Sequence, residues 1–405
     1  MAVSRRVRVG LAGLSVAALL VLPGAVLGLT PSYSAGLGID DLLNRTDLIY
    51  GSEIGAWRTT GAPATDLSTP IPNLVKAAKI PLVRYSVYDV FTDMTDPAGN
   101  PGTQSRANFD AALNSIRSNL NAEVMIKLLP ISNDVIGTKN GGIYCPPLND
   151  LGRNLAYYKA LMAQAGARVR IYESSNEMEY DCSALWGFPS AGSAGVSKAL
   201  GQHFAQNMPA LKKYARSLGF EIATVGYIGT PGGFGWGDSI ANPRVSTAVE
   251  FLTAVHDAYV ASGYDPDYIP DAISIHAYPY SGDFCGSTPL SSCSVSVSDI
   301  VAYHEAWQAK VRDQMNAIWG PTIGSKIKFA VSEWNAGYQS WPGFTDARVV
   351  SFYTAWLAML KRDGFWLADQ FAIASNGSEP YDIIKETGAT ATFYDAFKAA
   401  ATGGA

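Results

Sequence analysis

The feature that most constrains the fold is a regular alternation, along most of the 405 residues, of short apolar segments with longer amphipathic ones. The short segments are rich in Val and Ile and are bounded by Gly, Pro, Asn or Ser, which is typical of buried parallel strands. They cover residues 53–59, 82–87, 123–129, 169–174, 222–228, 272–276, 328–332 and 370–374.

The amphipathic segments between these strands predict helices. Residues 107–120, for example, place Phe109, Leu113 and Ile116 on one helical face. Similar patterns cover residues 73–78, 154–165, 196–217, 247–262, 298–316, 346–362 and 391–401. Eight strand–helix units in series predict an α/β protein with a single (β/α)8 TIM barrel. The alternative is an open doubly wound sheet, which normally begins with a Gly-rich phosphate turn that we do not find here.

The first residues resemble a signal peptide. Arg5, Arg6 and Arg8 precede an apolar stretch over residues 11–29, which is the pattern of an export signal. We expect residues 1–28 to be removed by cleavage after Gly28, with cleavage after Ser34 or an uncleaved membrane anchor as alternatives. No later run predicts a membrane span, so we expect a secreted, extracellular protein.

The expected mature chain has two parts. Residues 29–50 form an N-terminal segment, and residues 51–405 form the barrel. Hydrophobic residues make up 48% and charged residues 16% of the sequence, which is enough for a large core and excludes intrinsic disorder. The 30 basic and 35 acidic residues give a net charge of −5, which argues against a nucleic-acid partner.

The four cysteines predict disulfides, because an even number of cysteines in an exported protein normally pairs. Three pairings are possible, and we favour Cys285 with Cys293, which closes a short loop, and Cys145 with Cys182. A metal site is the competing interpretation, but the chain has no Cys-x-x-Cys pair. We therefore predict no metal and no cofactor.

Two acids follow predicted strands at the end where barrel enzymes carry their chemistry. The fourth strand leads into Glu177, and the seventh leads into Glu333. Strands four and seven lie nearly opposite each other across the mouth of an eight-stranded barrel, so the two side chains can converge. Paired carboxylates are what glycoside hydrolysis requires, one to protonate the leaving oxygen and one to attack the anomeric carbon. The alternative for each acid is an ordinary surface or helix-capping residue.

These segments resemble a known group of enzymes. The sequence Tyr-Glu-Ser-Ser-Asn-Glu-Met at 172–178 resembles the strand-four signature of the clan A glycoside hydrolases, and Ser-Glu-Trp-Asn at 332–335 resembles their nucleophile segment. Val-Arg-Tyr-Ser at 83–86 and His-Ala-Tyr at 276–278 resemble further segments of this clan. The closest resemblance is to family thirty-nine, the β-xylosidase and iduronidase group. The chain departs from the clan at Met178, where a Pro is usual, and at 374–376, where several families have a Trp.

The resemblance implies a role for each matching residue. Glu177 would be the general acid/base and Glu333 the nucleophile. Arg84 and Tyr278 would donate hydrogen bonds to Glu333, and Asn176 would bind the sugar 2-hydroxyl.

The other candidate residues are assigned from their positions. His276 is expected to orient an acid or to bind a hydroxyl, and Glu173 to pair with Arg84. Aromatic rings at the mouth suit the apolar faces of sugars, although such rings also pack in cores. The remaining predicted substrate-binding residues are Trp57, Trp236, Trp334 and Asn376.

The sequence thus predicts a secreted retaining glycoside hydrolase that acts on a plant or cell-wall oligo- or polysaccharide by double displacement. An exo-acting β-xylosidase-like or arabinosidase-like enzyme and an endo-acting glycanase both remain possible. A catalytically inactive sugar-binding barrel is the alternative from another class. The distance between Glu177 and Glu333 separates the classes, because a gap well beyond ~10 Å would favour the binding protein.

Overall fold

A computed structural model of the chain describes residues 38–54, 77–87, 89–131, 145–233, 237–285, 292–337, 347–374 and 394–401, together with residues 383 and 390. Eight parallel strands pair in sequence order, and the last pairs with the first to close a barrel. The strands are β1 (Ile49–Ile54), β2 (Leu82–Val87), β3 (Glu123–Leu128), β4 (Ile171–Glu173), β5 (Ala223–Gly229), β6 (Ala272–Ala277), β7 (Lys328–Trp334) and β8 (Leu367–Ala374). The predicted (β/α)8 barrel is therefore confirmed.

Helices connect the strands on the outside of the barrel. The described α-helices are α1 (Ile39–Leu43), α2 (Arg106–Ser115), α3 (Leu155–Ala165), α4 (Met178–Cys182), α5 (Val196–Ser217), α6 (Ser246–Ala261), α7 (Val297–Trp319), α8 (Pro321–Gly324), α9 (Ala347–Arg362) and α10 (Tyr394–Ala401). The predicted helix at 73–78 falls mostly outside the described residues, as does the predicted signal peptide at 1–28.

The first strand lies earlier in the chain than the apolar pattern predicts, at Ile49–Ile54 instead of residues 53–59. Gly51 and Ser52 interrupt the apolar pattern there, although both are buried. A Cβ atom on Gly51 would lie 2.7 Å from the carbonyl oxygen of Leu82, so glycine allows β1 and β2 to approach closely.

The barrel interior is layered. Its lower part is apolar and includes Leu82, Met125 and Ile171 from three neighbouring strands. Helix α1 closes this end, because Ile39 and Leu42 pack into the same cluster. Side chains alternate along a strand, so the next inward positions on β2, β3 and β4 are Arg84, Lys127 and Glu173. A buried layer of charge therefore lies on top of the apolar layer.

Both predicted disulfides are present. Cys145 pairs with Cys182 at the end of α4, and Cys285 pairs with Cys293, with Cα–Cα distances of 5.4 and 5.6 Å. The first bridge therefore ties the segment after β3 to the helix that follows Glu177. Within the described part of the chain, no helix has both the length and the apolar character needed to cross a lipid bilayer.

We expect removal of the Cys145–Cys182 bridge, by changing both residues to Ser, to lower the free energy of unfolding by about 4 kcal/mol. The two cysteines are 37 residues apart, so the bridge closes a long loop. Closing this loop lowers the conformational entropy of the unfolded chain, and that stabilisation is lost when the bridge is removed. The matched control is the Cys285–Cys293 pair, whose separation of 8 residues predicts a smaller loss of about 2.5 kcal/mol. Denaturant unfolding measures both values, and equal losses would contradict the loop-length argument.

Candidate active site

Arg84 lies at the centre of the candidate site and is completely buried. Its Nε donates to Glu173 at 2.7 Å, as the sequence predicts, and its Nη2 donates to Asn176 Oδ1 at 2.8 Å. Its Nη1 donates to Glu333 Oε2 at 2.6 Å and to Glu53 Oε2 at 2.8 Å. One guanidinium thus fixes groups from β1, β4, β7 and the segment before α4.

An irregularity in β7 determines where Glu333 points. Ser274 and Ile275 of β6 pair with Ala330 and Val331, but the next residue, His276, pairs with Glu333. One residue of β7, Ser332, is therefore accommodated as a bulge, and its backbone N–H donates to Ser274 Oγ at 2.7 Å. Ala330 faces the barrel interior, so simple alternation would turn Glu333 outward; the bulge instead turns it inward.

The same bulge corrects one sequence prediction. Trp334, expected to bind substrate, points out of the barrel and is completely buried. Its ring packs against Tyr353 and Trp356 of α9, at centroid distances of 4.8 and 6.2 Å. It is a core residue of the strand–helix interface, because the register shift that brings Glu333 inward sends its neighbour outward.

Glu333 is buried and surrounded by groups that favour its ionised form. Tyr278 donates its hydroxyl to Oε1, and Arg84 donates to Oε2. Burial acts to raise the pKa of Glu333, but His276, Arg84, Lys127 and the hydrogen bond from Tyr278 outweigh it and hold this pKa at about 2. The carboxylate is therefore ionised at any pH at which an ordinary enzyme works.

Tyr278→Phe is expected to move the titration of Glu333 to higher pH. The change removes the hydroxyl donor while keeping the ring, so the ionised carboxylate loses a hydrogen bond and the pKa of Glu333 should rise. The signal of the Glu333 δ-carboxyl carbon, followed by NMR in protein labelled with ¹³C-glutamate, measures this shift. Tyr264→Phe, at a ring that is 63% exposed, is the control. An unmoved titration of Glu333 in Tyr278→Phe would contradict this account of Tyr278.

Glu177 occupies a different environment from Glu333. It directly precedes α4 with a left-handed backbone, φ 43° and ψ 34°, which is uncommon for a residue other than glycine. About 29% of its side chain is exposed, against 9% for Glu333. Glu177 can thus reach a molecule that enters from solvent, while Glu333 lies deeper below the mouth.

His276 links the two acids. Its Nδ1 lies 2.7 Å from Glu177 Oε1 and 3.7 Å from Glu333 Oε2. Its Nε2 lies 3.4 Å from Arg84 Nη2. A carboxyl oxygen accepts hydrogen bonds, so Nδ1 of His276 donates to Glu177 Oε1. This hydrogen bond fixes the orientation of the Glu177 carboxyl group.

The two acids are close together. One oxygen of Glu177, one oxygen of Glu333 and a ring nitrogen of His276 all lie within 4.8 Å of one another. Among the described side chains, these three also form a group whose oxygen and nitrogen atoms are close enough together to share one ion. The predicted absence of a metal remains a prediction, which activity measurements with and without a chelator can test.

Several residues at the site were not predicted from the sequence. Glu53 on β1 and Lys127 on β3 belong to the charged layer, and Asp283 accepts the backbone N–H of Tyr278 at 2.7 Å. Burial raises the pKa of Asp283 to about 7. Phe371 of β8 faces Tyr278 edge-on, with a centroid distance of 6.5 Å. Glu53 and Lys127 could have been identified from the sequence, because each is a charged residue inside an otherwise apolar predicted strand.

Of the predicted site residues, the structure brings six together at the mouth of the barrel: Arg84, Asn176, Glu177, His276, Tyr278 and Glu333. Three others, Trp57, Trp236 and Asn376, lie outside the described residues.

Comparison with solved structures finds the same fold in glycoside hydrolases. A family 39 glycoside hydrolase from Bacteroides cellulosilyticus WH2 is 12% identical, with a TM-score of 0.53 over 88% of this chain and 64% of that one. A monomeric β-xylosidase from Caulobacter crescentus CB15 is 13% identical, with a TM-score of 0.53 over 86% and 67%. A GH5-4 broad-specificity endoglucanase from an uncultured bacterium is 14% identical, with a TM-score of 0.54 over 92% and 98%.

These similarities define the class of fold. The structural neighbours are glycosidases of families 39 and 5, so the resemblance to clan A inferred from the sequence is confirmed at the level of the barrel. The chain spans 64% of the family 39 structure. No protein-family model matches the sequence, and no curated protein is detectably similar to it.

Proposed function

We propose that this protein is a secreted retaining glycoside hydrolase that acts on an oligo- or polysaccharide. The observation that carries the proposal is the approach of Glu177 and Glu333 to within 4.8 Å across the barrel mouth. Retaining enzymes hold their two carboxyl groups ~5–5.5 Å apart, whereas inverting enzymes need ~6.5–9.5 Å to admit a water molecule. The short gap also argues against an inactive sugar-binding barrel.

In the first step, Glu333 attacks the anomeric carbon and Glu177 protonates the departing oxygen. Glu333 suits the nucleophile because Arg84 and Tyr278 keep it ionised and oriented. Glu177 suits the acid because it is partly exposed and is held by His276. The bond between sugar and leaving group breaks as the bond between sugar and Glu333 forms, which gives a glycosyl-enzyme with the opposite anomeric configuration.

In the second step, water attacks the same carbon and releases Glu333. Glu177, now ionised, accepts the proton from this water, so it serves as base after serving as acid. The two inversions together retain the configuration of the substrate.

Asn176 accepts from Arg84 through Oδ1, which orients its amide NH2 group to donate to the sugar 2-hydroxyl.

Export is supported by two features of the chain. Its first residues have the pattern of a signal peptide, and its four cysteines form two disulfides, which persist in oxidising compartments. The proposal covers both an exo-acting glycosidase and an endo-acting glycanase. A β-xylosidase and an endoglucanase share this fold, so the fold does not choose between them.

The experiment is hydrolysis of a panel of aryl glycosides and of plant and cell-wall polysaccharides, followed by proton NMR of the first product. A retaining enzyme releases the sugar in the anomeric form of its substrate before mutarotation. Release of the opposite anomer would contradict the double-displacement mechanism. Release of internal fragments only would identify an endo-acting enzyme, and absence of turnover across the panel would contradict the proposal.

A further inference from the structure

Lys127 and Glu53 form a buried ion pair directly below the candidate site. Lys127 Nζ lies 3.4 Å from both carboxylate oxygens of Glu53, and each side chain is only 3% exposed. Neither residue reaches the mouth of the barrel, and neither belongs to the motifs that carry the resemblance. Burying a pair of charges inside a barrel costs free energy unless hydrogen bonds and neighbouring charges compensate it.

Glu53 is connected to the nucleophile through a single nitrogen atom. Arg84 Nη1 donates to Glu53 Oε2 at 2.8 Å and to Glu333 Oε2 at 2.6 Å. The other oxygen of Glu53 accepts from Ser86 Oγ at 2.9 Å. The orientation of the Nη1 group toward Glu333 therefore depends on Glu53, and Glu53 is in turn held by Lys127.

Lys127 adds a second positive charge to a layer in which carboxyl groups outnumber cations. Three ionisable carboxyl groups, Glu53, Glu173 and Glu333, contact Arg84, which supplies one positive charge. Lys127 supplies the second. The titratable and charged groups around this layer are Glu53 on β1, Arg84 on β2, Lys127 on β3, Glu173 on β4, His276 on β6, Glu333 on β7 and Asp369 on β8. Burial raises the pKa of Asp369 well above its usual range.

We propose that Lys127 and Glu53 are positioning residues that act through Arg84 to hold Glu333 in its attacking orientation and to keep it ionised. The proposal rests on the proposed function for its catalytic meaning. Neither residue touches substrate. Glu53 aims the Nη1 group of Arg84, and Lys127 neutralises Glu53 so that the charge of Arg84 remains available to Glu333.

The test compares Lys127→Met, which removes the charge, with Lys127→Arg, which keeps it. The δ-carboxyl carbon of Glu333 is followed by NMR in protein labelled with ¹³C-glutamate, and its signal is identified by its absence in Glu333→Gln. We expect Glu333 to titrate at least about one pH unit higher in Lys127→Met, and close to the wild-type value in Lys127→Arg. We also expect kcat/KM to fall by roughly tenfold to a hundredfold in Lys127→Met, with the acid limb moved to higher pH.

Lys212→Met is the matched control. Lys212 is also mostly buried and paired, at 2.8 Å from Asp271, but it lies on α5, away from the site. This variant should lose stability without moving the titration of Glu333. A second variant, Glu53→Met with Lys127→Met, removes both charges and leaves Arg84 Nη1 without its acceptor on β1. The acid limb of its pH–rate profile should return toward the wild-type position. Its kcat/KM should stay low, because Arg84 is no longer oriented toward Glu333. This double variant also provides a test if Lys127→Met alone does not fold.

Two results would overturn the inference. One is an unchanged Glu333 titration in Lys127→Met; the other is recovery of full kcat/KM in the double variant. The NMR titration does not require turnover, so it separates this inference from the proposed function. A wild-type protein that hydrolyses no glycoside, yet shows the expected NMR shift, would support the effect of Lys127 on Glu333 and contradict the glycosidase assignment.

Discussion

Glu333→Ala is expected to lower kcat/KM by about 10⁴-fold or more, because the change removes the nucleophile that we propose. The cavity left by the carboxylate remains lined by Arg84 and Tyr278, which both donate hydrogen bonds. A small anion such as azide or formate can enter this space. With an activated aryl glycoside, azide should restore turnover and form a glycosyl azide of inverted configuration, since only one displacement then takes place.

Product analysis by NMR measures this configuration. Glu221→Ala, at an exposed position outside the site, is the control and should keep wild-type kinetics. A Glu333→Ala variant that retains a tenth or more of the wild-type kcat/KM would show that another group is the nucleophile.

Glu177→Ala is expected to affect substrates according to their leaving groups. For a disaccharide, whose leaving alkoxide needs a proton, kcat/KM should fall by roughly 10²–10⁴-fold. For a dinitrophenyl glycoside, whose leaving group departs without a proton, kcat/KM should fall far less. The glycosyl-enzyme then accumulates because no base activates water, so azide should accelerate turnover and give a glycosyl azide of retained configuration.

Comparing the configuration of the two azide products distinguishes the nucleophile from the acid/base in one assay.

Asp181→Asn is a suitable control for Glu177→Ala, because Asp181 lies on α4 beside Glu177. Burial and the nearby charge of Glu177 raise the pKa of Asp181 to about 6. Any change in kcat/KM caused by Asp181→Asn should be the same for the disaccharide and for the activated aryl glycoside. Equal losses on the disaccharide and on the activated substrate would contradict the acid/base role of Glu177.

The strands of the barrel could be predicted closely where their residues are uniformly apolar. Leu82–Val87 matches the predicted strand in full, β3 and β6 differ by one residue at one end, and β5 is shifted by one residue. These strands are buried on both faces, so apolar character alone marks them. The prediction was poorest for β1, which contains the non-apolar residues Gly51 and Ser52. Gly51 is buried because β1 and β2 lie close together there, and Ser52 is buried because its hydroxyl donates to the backbone of Gln370 on β8. Neither contact can be read from the local sequence pattern.

The residues of the site were recognisable when they stood in motifs at strand ends. Glu177 and Glu333 follow apolar runs in the order expected of a barrel. Trp334 stands in the same motif as Glu333, and it was misassigned because the outcome depends on one bulged residue. The hydrogen bonds between Ser274 and Ser332 that accompany the bulge join residues far apart in the chain.

The chain order of apolar and amphipathic segments is enough to determine the barrel and the strand ends at which its polar residues and the two acids stand, because these follow from local periodicity and burial. Tertiary structure alone determined that Glu333 turns inward, that Trp334 turns outward, and that Glu53 and Lys127 join Arg84 in one buried layer. The physical reason is that strand register and buried charge balance are properties of neighbouring strands, and neighbours in the barrel are separated along the chain by whole helices.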